Sequence, residues 1–175
     1  AINDMLLTKG LLDYMSGYDA PLATEAQLAR AHGPDYIHSI LNASPDEGYH
    51  RVDPDTSMNP HTAMAALRAA GALVQATDLV IAGGVPTAFC SVRPPGHHAE
   101  RNSAMGFCFF NNAAVSVLHA LDHPGLQPLA LIDFDVPHGH HTCLALNRTA
   151  VQWRGHTRAA PATPPARHPA RPPAR

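Results

Sequence analysis

A chain of 175 residues, 45% hydrophobic and 15% charged, has the length and composition of one globular domain with its own core, which excludes wholesale disorder and a fibrous repeat. The formal charge of −2 conceals an asymmetry. All 14 acidic residues lie at or before Asp135, whereas Arg148, Arg154, Arg158, Arg167, Arg171 and Arg175 lie beyond it.

No run approaches the roughly 18 consecutive apolar residues of a membrane-spanning helix, and Ala1-Ile2-Asn3-Asp4 has no basic or apolar leader pattern. Cys90, Cys108 and Cys143 are too scattered for a disulfide framework or a CxxC metal site. These features predict a soluble, cytoplasmic protein in a reducing compartment, with no membrane partner. The start at Ala1 suggests a missing beginning or removal of the initiator Met.

Thr24-Glu25-Ala26-Gln27 is a capping-box pattern that predicts a helix through Ala31, stopped by Gly33-Pro34. A short helix over Tyr36–Leu41 follows. Asn59 as cap and Pro60 at the first helical position predict a longer helix, with Met64, Leu67, Gly71 and Val74 on its buried face, ending before Gly83-Gly84. Thr87–Val92 reads as a buried strand, Asn112–Leu121 as a helix stopped by His123-Pro124-Gly125, and Leu129–Phe134 as a second buried strand. Strand, crossover helix and strand predict a right-handed parallel unit. From Pro161 onward the chain is Pro, Ala, Arg, Thr and His without periodicity, so the domain is expected to end near residue 142 and residues 143–175 to form a disordered basic tail, non-native in one reading. The tail has Trp153 as its sole aromatic residue, which argues against nucleic-acid binding.

In parallel sheets chemistry gathers at the carboxyl ends of strands. The first predicted strand leads into Arg93-Pro94-Pro95-Gly96-His97-His98-Ala99-Glu100, then Met105-Gly106-Phe107-Cys108-Phe109-Phe110-Asn111-Asn112. The second leads into Ile132-Asp133-Phe134-Asp135-Val136-Pro137-His138-Gly139-His140-His141. RPPGHHA, GFCFFNN and IDFDV followed by HG together resemble the histone deacetylase and acetylpolyamine amidohydrolase family, in particular its class II and bacterial members. The resemblance covers roughly residues 1–142, about the first half of the family's catalytic domain, and includes Asp53-Pro54-Asp55-Thr56 more loosely.

The resemblance implies an α/β fold of arginase/deacetylase type, a parallel sheet flanked by helices and here incomplete. It also implies a catalytic zinc and hydrolysis of acetyl-lysine or acetylpolyamine substrates. It makes His97 and His98 the paired general base and acid, and Asp133 the carboxylate that orients His97. The other reading of Asp133 is a cap on the turn after a strand. Asp135 matches the first zinc-ligand aspartate, and the family's next ligand is a histidine at i+2, on the same side of extended backbone. Here that position is Pro137, which offers no donor; His138 is a substitute only if the backbone rearranges. The family also holds potassium through the Asp133 side chain and nearby carbonyls. Gly106 and Phe107 match the lining of the channel for the acylated arm, and Asp53 or Asp55 a rim aspartate, the alternative being a solvated turn.

The family's remaining zinc aspartate and its transition-state tyrosine have no counterpart, because no Asp or Glu follows Asp135 and the last tyrosine is Tyr49. The expectation is a truncated, inactive copy of a zinc-dependent deacetylase. An alternative is a non-catalytic member that binds an acylated amine or a partner. A Cys/His hydrolase is disfavoured, since Cys108 reads as a buried apolar residue. His32, His38, His50, His61, His119 and His123 read as surface or satisfied core residues; oligomeric state is not legible.

Overall fold

The structure, a computed structural model, describes residues 2–126, 129–133 and 135, together with the backbone of 152–153. Helix α1 (Ile2–Thr8) buries none of its residues and leads through a 3-10 turn at Leu12–Tyr14 to α2 (Glu25–Leu28). The capping box forms: the Thr24 hydroxyl accepts from the Gln27 amide, and the Gln27 side chain accepts from the Thr24 amide. The helix is shorter than expected, because Ala29 to His32 close as turns ahead of Gly33. Pro34 does not only end it. It opens α3 (Pro34–Leu41), where its missing N–H is one that a first turn leaves unpaired anyway.

A hairpin absent from the sequence reading follows, β1 (His50–Asp53) antiparallel to β2 (Thr56–Met58), with an irregularity between Arg51 and Asp53. Helix α4 (Thr62–Ile81) begins later than expected. Asn59 and Pro60 stay outside it, Asn59 accepting from the His61 amide and the Thr62 hydroxyl. Its buried positions are Ala66, Ala69, Ala70, Gly71 and Val74, whereas Met64 is 51% exposed. At 100° per residue Met64 points away from the Ala66, Ala70, Val74 row, so small residues rather than large ones mark the packed side.

Helix α5 (Asn112–Leu121) has the expected bounds and packs along α4, joined by a 2.7 Å hydrogen bond between the Thr77 and Ser116 hydroxyls. The core gathers Leu28, Ile37, Ile40, Met58, Phe109, Phe110, Val115 and Leu118 around these helices. By length and composition alone α4 is apolar enough to cross a membrane, a property that counting uninterrupted apolar residues misses. Its inner face, however, is covered by α5 and by the Pro21–Ala23 segment, whose Ala23 amide donates to the Leu67 carbonyl.

The predicted strands are the main correction. Thr87–Val92 forms no strand and pairs with none among the described residues, and Phe89 is exposed. The second strand shrinks to β3 (Ala130–Leu131), with Ile132 71% exposed. The two do not pair. Instead β3 pairs in parallel with β4 (Gln152–Trp153). An apolar β-branched run reports strand propensity, not the ladder partner that must satisfy its N–H and C=O groups. The other residues of 143–175, and Phe134, Pro137 and His138 ahead of them, lie outside the described residues.

Two tests follow from this packing. A Cβ at Gly71 would overlap the Pro21 carbonyl oxygen and lie 2.9 Å from the Ala23 nitrogen. Gly71→Ala is therefore expected to lose on the order of 1–2 kcal/mol in urea unfolding, where an unobstructed helix position would gain about 1. The second concerns His32, which is fully buried: Nε2 accepts from the Asn111 amide at 2.9 Å and Nδ1–H donates to the Arg101 carbonyl at 3.2 Å. Burial lowers its pKa from 6.5 to about 4. Between those values the unfolded chain binds a proton that the folded one refuses, so stability falls as pH drops from 6.5 and levels off below about 4, by about 3 kcal/mol. Urea midpoints across this range that do not move would contradict it.

Candidate active site

The histidine loop and the end of β3 meet. Nδ1 of His97 lies 3.1 Å from Oδ2 of Asp133, whose side chain is only 13% exposed. Oδ1 of the same carboxylate accepts from the Asp135 amide at 3.1 Å. Asp133 thus contacts the imidazole and caps the turn at once. Nε2 of His97 faces Oδ2 of Asp135 at 3.4 Å. The His98 ring lies 4.1 Å from that of His97, and His97, His98 and Asp135 each offer a ligand atom within 4.8 Å of the others.

What fixes the histidines is a residue to which the sequence reading gave no role. Asn111 accepts from the Ala114 amide through Oδ1, which caps α5, and donates through Nδ2 to the carbonyls of Ala99 and His97 at 2.9 and 3.3 Å. Its preference for N-caps was legible; its reach back across the loop was not. Gly96 completes the contact, since a Cβ there would lie 2.7 Å from the Asn112 nitrogen.

Gly106 and Phe107 form the centre of a two-residue hairpin turn closed by Met105 and Cys108 hydrogen bonds. Both have positive φ, +57° and +64°. Glycine takes that conformation freely, but at Phe107 it is strained and must be held. The hairpin holds it: Oδ1 of Asp55 accepts from the Gly106 amide at 3.2 Å, and Oγ1 of Thr56 accepts from the Phe107 amide at 3.0 Å while donating to Asp55. The Phe107 ring stays 61% exposed, and Gly106 lies so close to His98 that a Cβ would come within 2.5 Å of its ring. Asp55 is therefore engaged in positioning this turn, its carboxyl drawn below the usual range chiefly by the Thr56 hydroxyl. Asp53 accepts from the Asp55 amide at 3.4 Å within the β1–β2 turn.

Cys108 is buried, and burial pushes its thiol up to about 11, unsuited to a nucleophile at neutral pH. Of the other histidines, His32 is a satisfied core residue, His38 pairs with Glu25 at the surface, and His50 and His61 are exposed. His119 and His123 converge on Asp78. His138 and the carbonyls invoked for potassium at residues 134, 136 and 137 lie outside the described residues.

The clamp on the turn is testable without any assay of activity. Asp55→Ala is expected to leave the global fold intact and raise amide exchange at Gly106 and Phe107 about tenfold, the value of one modest hydrogen bond. Unchanged exchange at both amides would show that Asp55 does not hold the turn.

The family described as histone deacetylase domain matches residues 1–150. The chain is 37% identical over 141 residues to mouse polyamine deacetylase HDAC10, covering 78% of this chain and 21% of that protein. It is 35% identical over 141 residues to the histone deacetylase-like amidohydrolase of Pseudomonas aeruginosa, covering 81% and 37%. The crystal structure of the HDA15 HD domain superposes with a TM-score of 0.82 at 32% identity, covering 88% of this chain and 43% of that one. The chain thus spans well under half the length of these proteins. With the histidine loop, the Gly106–Phe107 turn and the Asp133–Asp135 segment brought together on a matching backbone, the chain belongs to the histone deacetylase domain family and has part of its arginase/deacetylase α/β fold.

Proposed function

We propose that this chain carries the proton-transfer part of a zinc-dependent deacetylase site, built to hydrolyse acetylated amines such as acetyl-lysine or acetylpolyamines, and that these 175 residues alone do not turn over. The observation that supports this reading is the convergence of His97, His98, Asp133 and Asp135 beside the Gly106–Phe107 turn. Donating Nδ1–H to Asp133 leaves Nε2 of His97 as the acceptor, placed to take a proton from an attacking water. His98, next to it, is placed to return a proton to the departing amine, so that water and amide become acetate and free amine. The exposed Phe107 ring offers a face to the methylenes of the acylated arm, and Asp55 with Thr56 keeps it there.

The fit to zinc is partial. When bound, zinc supplies a Lewis acid for the carbonyl and a more acidic water. Asp135 offers one carboxylate beside the histidines, but Pro137 has no side-chain donor, and no Asp or Glu follows Asp135. The Asp133 side chain would also hold the potassium ion that the family resemblance implies. The intact turn and histidines beside an incomplete ligand set also fit a member that binds an acylated amine without cleaving it.

Hydrolysis of an acetyl-lysine peptide and an acetylpolyamine with added zinc separates these readings. The chain and its Pro137→His variant are expected to stay at background, although the variant should bind zinc more tightly. Fused to the second half of the bacterial relative's deacetylase domain, Pro137→His is expected to turn over, and His97→Ala or His98→Ala in that fusion to lose about 10²–10⁴-fold. Robust turnover by the unfused chain would overturn its inactivity, and a fusion indifferent to both histidines would overturn their roles.

A further inference from the structure

We propose that Asp78, His119 and His123 form a second divalent-cation site, of the zinc class, that clasps the end of α4 to the end of α5. Asp78 lies in the last turn of α4; His119 and His123 stand four residues apart, at the end of α5 and just past it. The chain turns just past the Asp122 cap and brings the two imidazole rings 5.4 Å apart.

The three side chains converge on a single point. Nε2 of His119 lies 2.7 Å and Nε2 of His123 3.4 Å from the same oxygen, Oδ1 of Asp78, and the donor atoms of the three residues all fall within 4.8 Å of one another. Zinc–ligand bonds of about 2.0–2.1 Å set tetrahedral donors about 3.3 Å apart, so the cluster needs only a small closure. His123 lies just past Asp122, the C-cap of α5.

Two imidazoles and one carboxylate suit a borderline cation such as zinc rather than calcium or magnesium, which take oxygen donors. A hydrogen-bonded pair alone explains less, because a carboxylate oxygen already 2.7 Å from one imidazole gains little from a second at 3.4 Å. The remaining ring nitrogen of His119, Nδ1, is buried and has no hydrogen-bond partner among the described residues. No second hydrogen bond therefore fixes the tautomer, so the ring proton can sit on Nδ1 and leave the Nε2 lone pair for an ion. The same lack of support sets the affinity below that of a structural zinc site, whose histidines are usually buttressed through the other nitrogen. Asp78 and His123 remain partly exposed, so the ion keeps water in its fourth position and an open path to solvent.

The test uses the chain with His97→Gln, His98→Gln and Asp135→Asn and with His138, His140 and His141 changed to Gln, which removes the other donor cluster and the downstream histidine run. Titrated with cobalt(II), then zinc, this chain is expected to bind a single equivalent, with tetrahedral visible bands that zinc bleaches. His123→Gln and Asp78→Asn should each weaken binding at least tenfold with the far-ultraviolet spectrum unchanged. Zinc at a hundred times its Kd should raise the folded-to-unfolded ratio about a hundredfold. Should either variant lose its fold, paramagnetic broadening by cobalt in the parent chain decides: ring signals of His119 and His123 fading first support the site. Fading elsewhere, no binding below millimolar metal, or affinity indifferent to both substitutions would overturn it.

Discussion

Asn111 joins three parts of the molecule that sequence separates. Its side-chain carbonyl caps α5, its side-chain amide group holds the backbone of the histidine loop, and its own main-chain N–H is received by His32 deep in the core. Each of these polar groups is buried or nearly so, and leaving any of them unpaired costs more than an ordinary hydrogen bond contributes. His32 is in turn anchored to the Arg101 carbonyl, and Tyr36 reaches from α3 to the Phe109 carbonyl at 2.6 Å. The segment from Gly96 to Asn112 is therefore fixed from both sides, although it contains little regular secondary structure. That rigidity places two adjacent imidazoles in defined orientations without a strand beneath them.

The same economy applies on the other side of the site. Asp133 spends one oxygen on His97 and the other on the turn that carries Asp135, so orientation of the imidazole and placement of the next carboxylate are one event. The hairpin β1–β2 plays the matching part for the Gly106–Phe107 turn, through Asp55 and Thr56. Each of these supports acts by removing freedom from the residue it touches.

Local chemistry proved readable and long-range pairing did not. The Thr24 capping box, the bounds of α5 and the packed face of α4 around Gly71 follow from propensity, capping and periodicity, and the motifs that meet at the site could be named from their residues. Met64 was misplaced because a large apolar residue draws attention that the alanines of α4 deserved. The hairpin at Asp53–Thr56 went unrecognised as a support, since its role depends on a partner about fifty residues away. Thr87–Val92 and Leu129–Phe134 have strand-like composition, yet a strand exists only with a neighbour, and composition does not name the neighbour. Pro137 was legible as a missing donor from its covalent structure alone.

Asp133 lies only two residues past Leu131, the last residue of β3, and the side chains of extended backbone alternate from one face to the other. The facing of the acid toward His97 is thus inherited from the seating of a strand two residues long. A slip of β3 by a single residue against its neighbour would present Ile132 to the imidazole and turn the carboxylate away, leaving every residue in place in the sequence and the His97–Asp133 contact broken. Strand register is in this sense a variable of the chemistry, and Leu131, packed against the core beside an exposed Ile132, is the side chain that sets it.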